Sequence, residues 1–267
     1  MPASNEPIAR EPRVLLELRR LLTGLSWVVF GTGALLLTLL WFPYLNFFEH
    51  NKERRIKRAR ASISCSFRLF LRMLVVLGVT RIELEDIQQL RTVKGAIIVA
   101  NHPTILDYVL IASQLPELDC LVKAELKQNF FLKGVVAAAD YLLNDHGEAI
   151  LQDCEARLAR GDSILIFPEG TRTVPGEPLK LKRGVAHIAL RLNAPIEVLA
   201  INAPPRWLSK HAKWYEIPRR GSTLRVHRVG RVLPSDFVDE SEQTHSLSSR
   251  RLTRHLSDIL TKELKNN

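Results

Sequence analysis

The sequence predicts an α/β fold, a mixed sheet flanked by helices, with membrane-associated helices ahead of it at the N-terminus. Three observations carry this. Short runs rich in β-branched residues, AIIVA at 96–100 and SILIF at 163–167, stop abruptly in polar residues. Buried strands that deliver functional groups at their C-terminal ends read this way. Amphipathic stretches of helical period alternate with such runs, at 148–160, 184–192 and 247–264. Residues 21–48 contain no charged side chain and are long enough for a membrane-crossing helix of ~20 residues.

The chain divides accordingly. Residues 1–12 are polar and expected to be disordered. Residues 13–78 form a membrane-anchoring helical region with a basic cluster, 79–240 a catalytic domain, and 241–267 an amphipathic helix packed on that domain. A length of 267 residues and a hydrophobic fraction of 46% suit one full core with appendages. A net charge of +10 points to an anionic partner: nucleic acid, anionic lipid or an acidic carrier protein. Cys65, Cys120 and Cys154 are scattered without CxxC spacing, which implies a reduced compartment, no zinc site and small buried hydrophobes.

In the anchor, Trp27, Trp41, Phe42 and Tyr44 lie towards the ends of the apolar run, as interfacial side chains do. Gly31, Gly33 and Pro43 leave room for a broken or re-entrant path. A buried core helix is the alternative. Positive residues flank both ends: Arg13, Arg19 and Arg20 before, and Lys52, Arg54, Arg55, Lys57, Arg58 and Arg60 after. The second cluster has no interleaved aromatics, which favours anionic headgroups over nucleic acid and places this flank on the cytoplasmic side. Residues 62–79 continue as an apolar helix with Arg68 and Arg72 on one face.

Strands are predicted at 81–87, 96–100, 118–122, 163–167, 196–201 and 223–232, and a helix at 103–113. His227 reads as a strand residue. Trp207, Trp214 and Tyr215 in a basic loop suit either an interface or packing.

The functional groups cluster after two of these strands. Pro103 biases His102 to extended backbone and suits the first position of a helix carrying Asp107. From just outside that helix the His102 ring folds back onto the Asp107 carboxylate, which fixes its tautomer and frees the other ring nitrogen to take a proton. A polar cap is the bland alternative. No Ser or Cys is placed as a nucleophile, so direct attack by an activated substrate hydroxyl fits better than a covalent intermediate. After the other strand, Arg172 offers a planar fork for phosphate, or a salt bridge to Glu169 or Asp107. Lys180, Lys182 and Arg183 form either a solvated basic face or part of a binding site.

NHPTILD (101–107) and FPEGTR (167–172) resemble the NH-x4-D and FPEGTR motifs of the 1-acylglycerol-3-phosphate acyltransferase-like (glycerolipid acyltransferase) family, in the family's order. LKLKRGVAHIAL (179–190) and NAPIEVLAINAPP (193–205) are similar to its later blocks. The resemblance implies a glycerolipid acyltransferase-type sheet and an O-acyltransferase with His102 as base, supported by Asp107. It implies that Asn101, Glu169, Gly170, Thr171, Arg172 and Lys182 bind substrate. The donor is acyl-CoA or acyl-carrier protein, used as co-substrate, with no cofactor and no metal. The acceptor is a lysolipid, 1-acylglycerol-3-phosphate giving phosphatidate, on a membrane (the inner membrane in a bacterium) with anionic lipids and no nucleic acid as partners. Backbone at Gly170 or the Arg172 side chain is expected to stabilise the oxyanion.

Two departures bear on the acceptor. The family's second block ends in an Arg, where this chain has Asn144, Asp145 and His146; Glu197 in the fourth block is also unusual. A carboxylate repels a phosphate, which gives weight to a non-phosphate acceptor such as a lyso-aminolipid or another hydroxylated lipid. The remaining alternative is a non-catalytic lipid-binding protein.

Overall fold

The computed structural model describes residues 12–130, 132–144, 149–218, 221–238 and 245–266. Helix α1 (Arg13–Leu36) passes through a π-turn (Leu37–Trp41) into α2 (Phe42–Phe48), and α3 (Lys52–Val76) returns. The α/β part follows: β1 (Thr80–Glu85), β2 (Ile97–Ala100), α4 (Asp107–Gln114), β3 (Asp119–Val122), α5 (Lys133–Ala139), β4 (Leu142–Leu143), α6 (Ala149–Ala159), β5 (Ile164–Ile166), α7 (Gly184–Leu192), β6 (Ile196–Asn202), β7 (Ser222–Val232) and α8 (His245–Asn266). The two-residue β4 is too short to carry a sequence pattern.

The seven strands run in the order β1-β7-β6-β2-β5-β3-β4. All neighbours are parallel except β6 and β7. Alternation along the central strands separates two cores. Ile98 and Ala100 of β2, with Leu165 and Leu199, face α3, α4 and α5. Ile97 and Val99, with Ile164 and Val198, face α6, α7 and α8. All four β2 residues are at 0% exposure, as a strand covered on both faces must be.

The topology creates a crevice. From β2 the chain leaves through α4 towards β3; from the adjacent β5 it leaves through α7 towards β6, on the other side of β2. Neighbouring parallel strands whose connections depart in opposite directions leave an opening at their C-terminal ends. Val99 pairs with Ile166, so His102 and Glu169, each three residues further on, emerge side by side.

Four expectations are corrected. The N-terminal helix is unbroken from Arg13 to Phe48. Pro43 lacks an N–H and crowds the carbonyl four residues back, and the π-turn just before it widens the helix there, with the Phe42 N–H reaching the Leu37 carbonyl. Arg60 does not face headgroups. Its guanidinium is buried, 2.7 Å from Asp119 and 2.8 Å from the Ala139 carbonyl. Arg19 is likewise buried and donates to the Pro218 carbonyl at 3.0 Å. Among the cysteines, Cys120 and Cys154 are buried as expected, but Cys65 is exposed.

The other elements follow the sequence closely. In α8, Leu252, Leu256 and Leu260 form the buried stripe. His227 is a strand residue, 3.2 Å from Glu263. Trp207 is core, while Trp214 and Tyr215 are exposed, the Trp214 ring lying against Gly24 of α1. Residues 1–11, Asp145, His146 and 241–244 lie outside the described residues.

Candidate active site

The expected helix at 103–113 begins only at Asp107. The reason lies in the side chains. The Thr104 N–H and hydroxyl donate to the Asp107 carboxylate at 2.8 and 2.5 Å, and the Leu106 N–H donates to the Thr104 hydroxyl at 3.1 Å. These local bonds hold 103–106 as a turn in competition with helix. Asp107, fully buried, therefore opens the helix and meets His102 directly, Nδ1 to Oδ2 at 2.7 Å. An ionised carboxylate only accepts, so Nδ1 carries the proton and Nε2 is left to accept one. Burial raises the Asp107 carboxyl above its ordinary value, opposed by the hydrogen bonds from His102 and Thr104.

The second motif holds the first. The Glu169 carboxylate accepts the His102 backbone N–H at 2.8 Å, and the Thr173 N–H donates to the His102 carbonyl at 2.7 Å. The Thr173 hydroxyl also donates to Glu169, at 3.0 Å. Phe167 stacks on the imidazole at 4.2 Å and 20°. His102 is thus fixed through its backbone, its ring face and Nδ1.

This geometry revises several assignments. Asn101 is 1% exposed, and its amide exchanges two 2.8 Å hydrogen bonds with the Ile201 backbone, tying β2 to β6. It positions the motif and, being buried, does not line the cavity. Glu169 likewise positions His102. The Gly170 N–H donates to the Phe167 carbonyl at 3.0 Å, so it is not an oxyanion donor. Gly170 is required for another reason: its φ is +67°, and a Cβ there would lie 2.7 Å from the Lys182 ammonium. Arg172 makes no salt bridge to Glu169 or Asp107. One of its nitrogens donates to the carbonyls of Leu208 and Ser209, at 3.3 and 3.0 Å, leaving its remaining donors for an anion. Glu197 is buried on β6 and paired with Arg228 of β7 at 2.8 Å, away from these groups.

His102 opens onto a cavity of about 760 Å³. Trp27 and Phe30 of α1 and Phe67 and Phe70 of α3 line it, as do Val109, Val135 and Val136. Gly170, Thr171, Arg172 and Lys182 line the same space near His102. So do Lys123 and Asn144 at the ends of β3 and β4. Lys123 was missed by sequence reasoning, although it follows the apolar run of β3 as His102 follows that of β2. Tyr108 and Tyr141 in the wall gave no sequence signal. Among the described residues no His, Cys, Asp and Glu cluster would hold a metal.

These features define an α/β enzyme site: a histidine base with its carboxylate, cations beside it, and an apolar cavity of the size that small-molecule ligands occupy. A family profile described as Acyltransferase matches residues 81–202. The chain is 28% identical over 217 residues to a 1-acyl-sn-glycerol-3-phosphate acyltransferase of Helicobacter pylori, covering 78% of this chain and 85% of that one. It is 29% identical over 126 residues to the beta form of Homo sapiens, covering 43% and 44%. It therefore spans less than half of the human relative. The crystal structure of the 1-acyl-sn-glycerophosphate (LPA) acyltransferase PlsC from Thermotoga maritima superposes with a TM-score of 0.70 at 18% identity, covering 94% of this chain and 97% of that one, which shows a shared fold. Residues 81–202 thus match the acyltransferase family, and the relatives that align with the chain are 1-acyl-sn-glycerol-3-phosphate acyltransferases.

Proposed function

We propose that this enzyme transfers a fatty acyl chain from acyl-CoA or acyl-carrier protein to the hydroxyl of a membrane lysolipid, 1-acylglycerol-3-phosphate giving phosphatidate. The observation that carries this reading is that His102, backed by Asp107, lines an apolar cavity together with Arg172, Lys182 and Lys123. His102 Nε2 takes the acceptor hydroxyl proton, and the oxygen attacks the thioester carbonyl. The tetrahedral intermediate collapses, the C–S bond breaks, and the thiol leaves with the proton returned by His102. Arg172 and Lys182 supply positive charge for the acceptor phosphate or the developing oxyanion. Asp107 stabilises the imidazolium formed in between. No cofactor and no metal enter this scheme.

A membrane location is supported by the outer face of the N-terminal helix, where Leu39, Leu40, Phe47 and Phe48 are all more than 60% exposed. The helix is apolar over a length sufficient to cross a membrane, and little of that stretch is buried within the protein. Such a surface fits insertion among lipid chains, and the exposed Lys52, Arg54, Lys57 and Arg58 at the start of α3 fit anionic headgroups on the cytoplasmic side.

Asn144 lines the cavity where the family resemblance implies an arginine nearby, which favours, as the second reading, the same chemistry on a non-phosphate lysolipid. Purified protein given labelled acyl-CoA or acyl-carrier protein and a panel of lysolipids separates the two. Phosphatidate from 1-acylglycerol-3-phosphate is the expected product. Product only from lyso-aminolipids or other hydroxylated lipids would move the assignment to the second reading.

A further inference from the structure

Two phenols interrupt the apolar wall of the cavity. Tyr108 in the first turn of α4 and Tyr141 ahead of β4 both line it, and their hydroxyls are hydrogen-bonded to each other. The pair is held firmly. The Phe67 ring meets Tyr108 edge-on at 5.8 Å, and the Arg60 guanidinium lies 5.8 Å from the Tyr141 ring centre. Arg60 is itself fixed by Asp119.

Two hydroxyls carry two hydrogens, and a single bond between them uses one. Among the described residues neither hydroxyl has a further hydrogen-bond partner. Whichever tyrosine donates to the other, one O–H remains without an acceptor. Burial raises both phenols above the ordinary value, so both are protonated and the hydrogen is present to be donated. A plain hydrocarbon chain filling the cavity leaves that donor unpaired and shut off from water, which is unfavourable. A chain with an oxygen at the matching depth removes the cost. Phenylalanines would line a site for plain chains equally well, without it.

We propose that the cavity prefers a hydroxylated fatty acyl chain, whose oxygen accepts a hydrogen bond from the Tyr108–Tyr141 pair. This rests on the reading of the cavity as the acyl-chain site. The test uses the full-length enzyme with acyl thioesters of one length, unsubstituted or with one hydroxyl moved carbon by carbon along the chain. For each, kcat/KM is measured relative to the unsubstituted thioester, in the native enzyme and in Tyr108→Phe/Tyr141→Phe. At the matching position the native enzyme is expected to show a ratio about tenfold above that of the double variant. Equal ratios at every position would overturn the inference. A second measurement needs neither turnover nor the double variant: binding of the hydroxylated and plain fatty acids to His102→Ala protein. The hydroxylated acid is expected to bind about tenfold more tightly, and equal binding throughout would contradict the preference. Acyl transfer of the unsubstituted thioester, compared with His102→Ala, tests the parent reading separately.

Discussion

Asp107 sets the working state of the site through its burial. Its carboxyl is raised above the ordinary value, so the folded chain holds that proton more tightly than the unfolded chain. The favourable contribution of this proton is present at low pH and is lost as pH rises through the folded-state value. Asp107→Asn does not titrate. Its stability relative to the native protein is therefore expected to improve as pH rises from 4 to 8, as read from paired denaturant titrations. A relative stability of Asp107→Asn that falls as pH rises would contradict the burial argument. The same substitution removes the carboxylate that stabilises the imidazolium, and kcat is expected to fall roughly 10²- to 10⁴-fold. At this scale the sequence was informative where neighbouring residues act together: Asp107 backs His102, and His102, Arg172 and Lys182 line one cavity. It misled where a residue's partner is distant in the chain. Asn101 looks like part of a binding motif, yet its amide is taken by Ile201, one hundred residues away. The Tyr108–Tyr141 pair spans 33 residues with no spacing rule to connect them.

Helix α3 shows how an element reads correctly while one of its residues does not. Its apolar second half follows from the sequence, and Asn51 caps its start by accepting the Arg54 N–H at 3.0 Å. Arg60 stands within a run of cations and so reads as solvated. It also stands on the stripe of Ile63, Phe67, Phe70 and Leu74, all buried. The stripe decides its position, because a helix cannot turn one residue out of its buried face. Arg60 then reaches Asp119 at the start of β3 and the Ala139 carbonyl at the end of α5. Arg60→Ala is expected to destabilise the fold by about 3 kcal/mol, because it leaves the buried Asp119 with Arg157 alone, at 3.3 Å. A denaturant midpoint shift corresponding to under 1 kcal/mol would show the pair to be dispensable. Strand positions were legible to within one or two residues because the sheet is buried on both faces. The start of α4 was not, because the side chains of Thr104 and Asp107 outcompete the helix that Pro103 suggests.

Across the whole molecule, the active site is a seam between two parts. The sheet supplies His102, Asp107 and the cations. The N-terminal helices supply a wall of the cavity, through Trp27 and Phe30, as well as the exposed apolar face. Under the proposed function, that arrangement would let an acyl chain pass from a membrane into the cavity beside the base. Flotation with vesicles containing anionic lipid tests the membrane part. Leu40→Glu/Phe47→Glu is expected to reduce bound protein roughly tenfold without unfolding it, both side chains being more than 60% exposed. Undiminished binding would place the contact elsewhere. The central claim is that His102 is the base for acyl transfer, and one comparison addresses it most directly: the rate of lysolipid acylation from a saturating acyl thioester, for the native enzyme and for His102→Ala of unchanged fold. A fall of about 10²- to 10⁴-fold is predicted; a rate within a few fold of native would contradict the assignment of His102 and with it the mechanism.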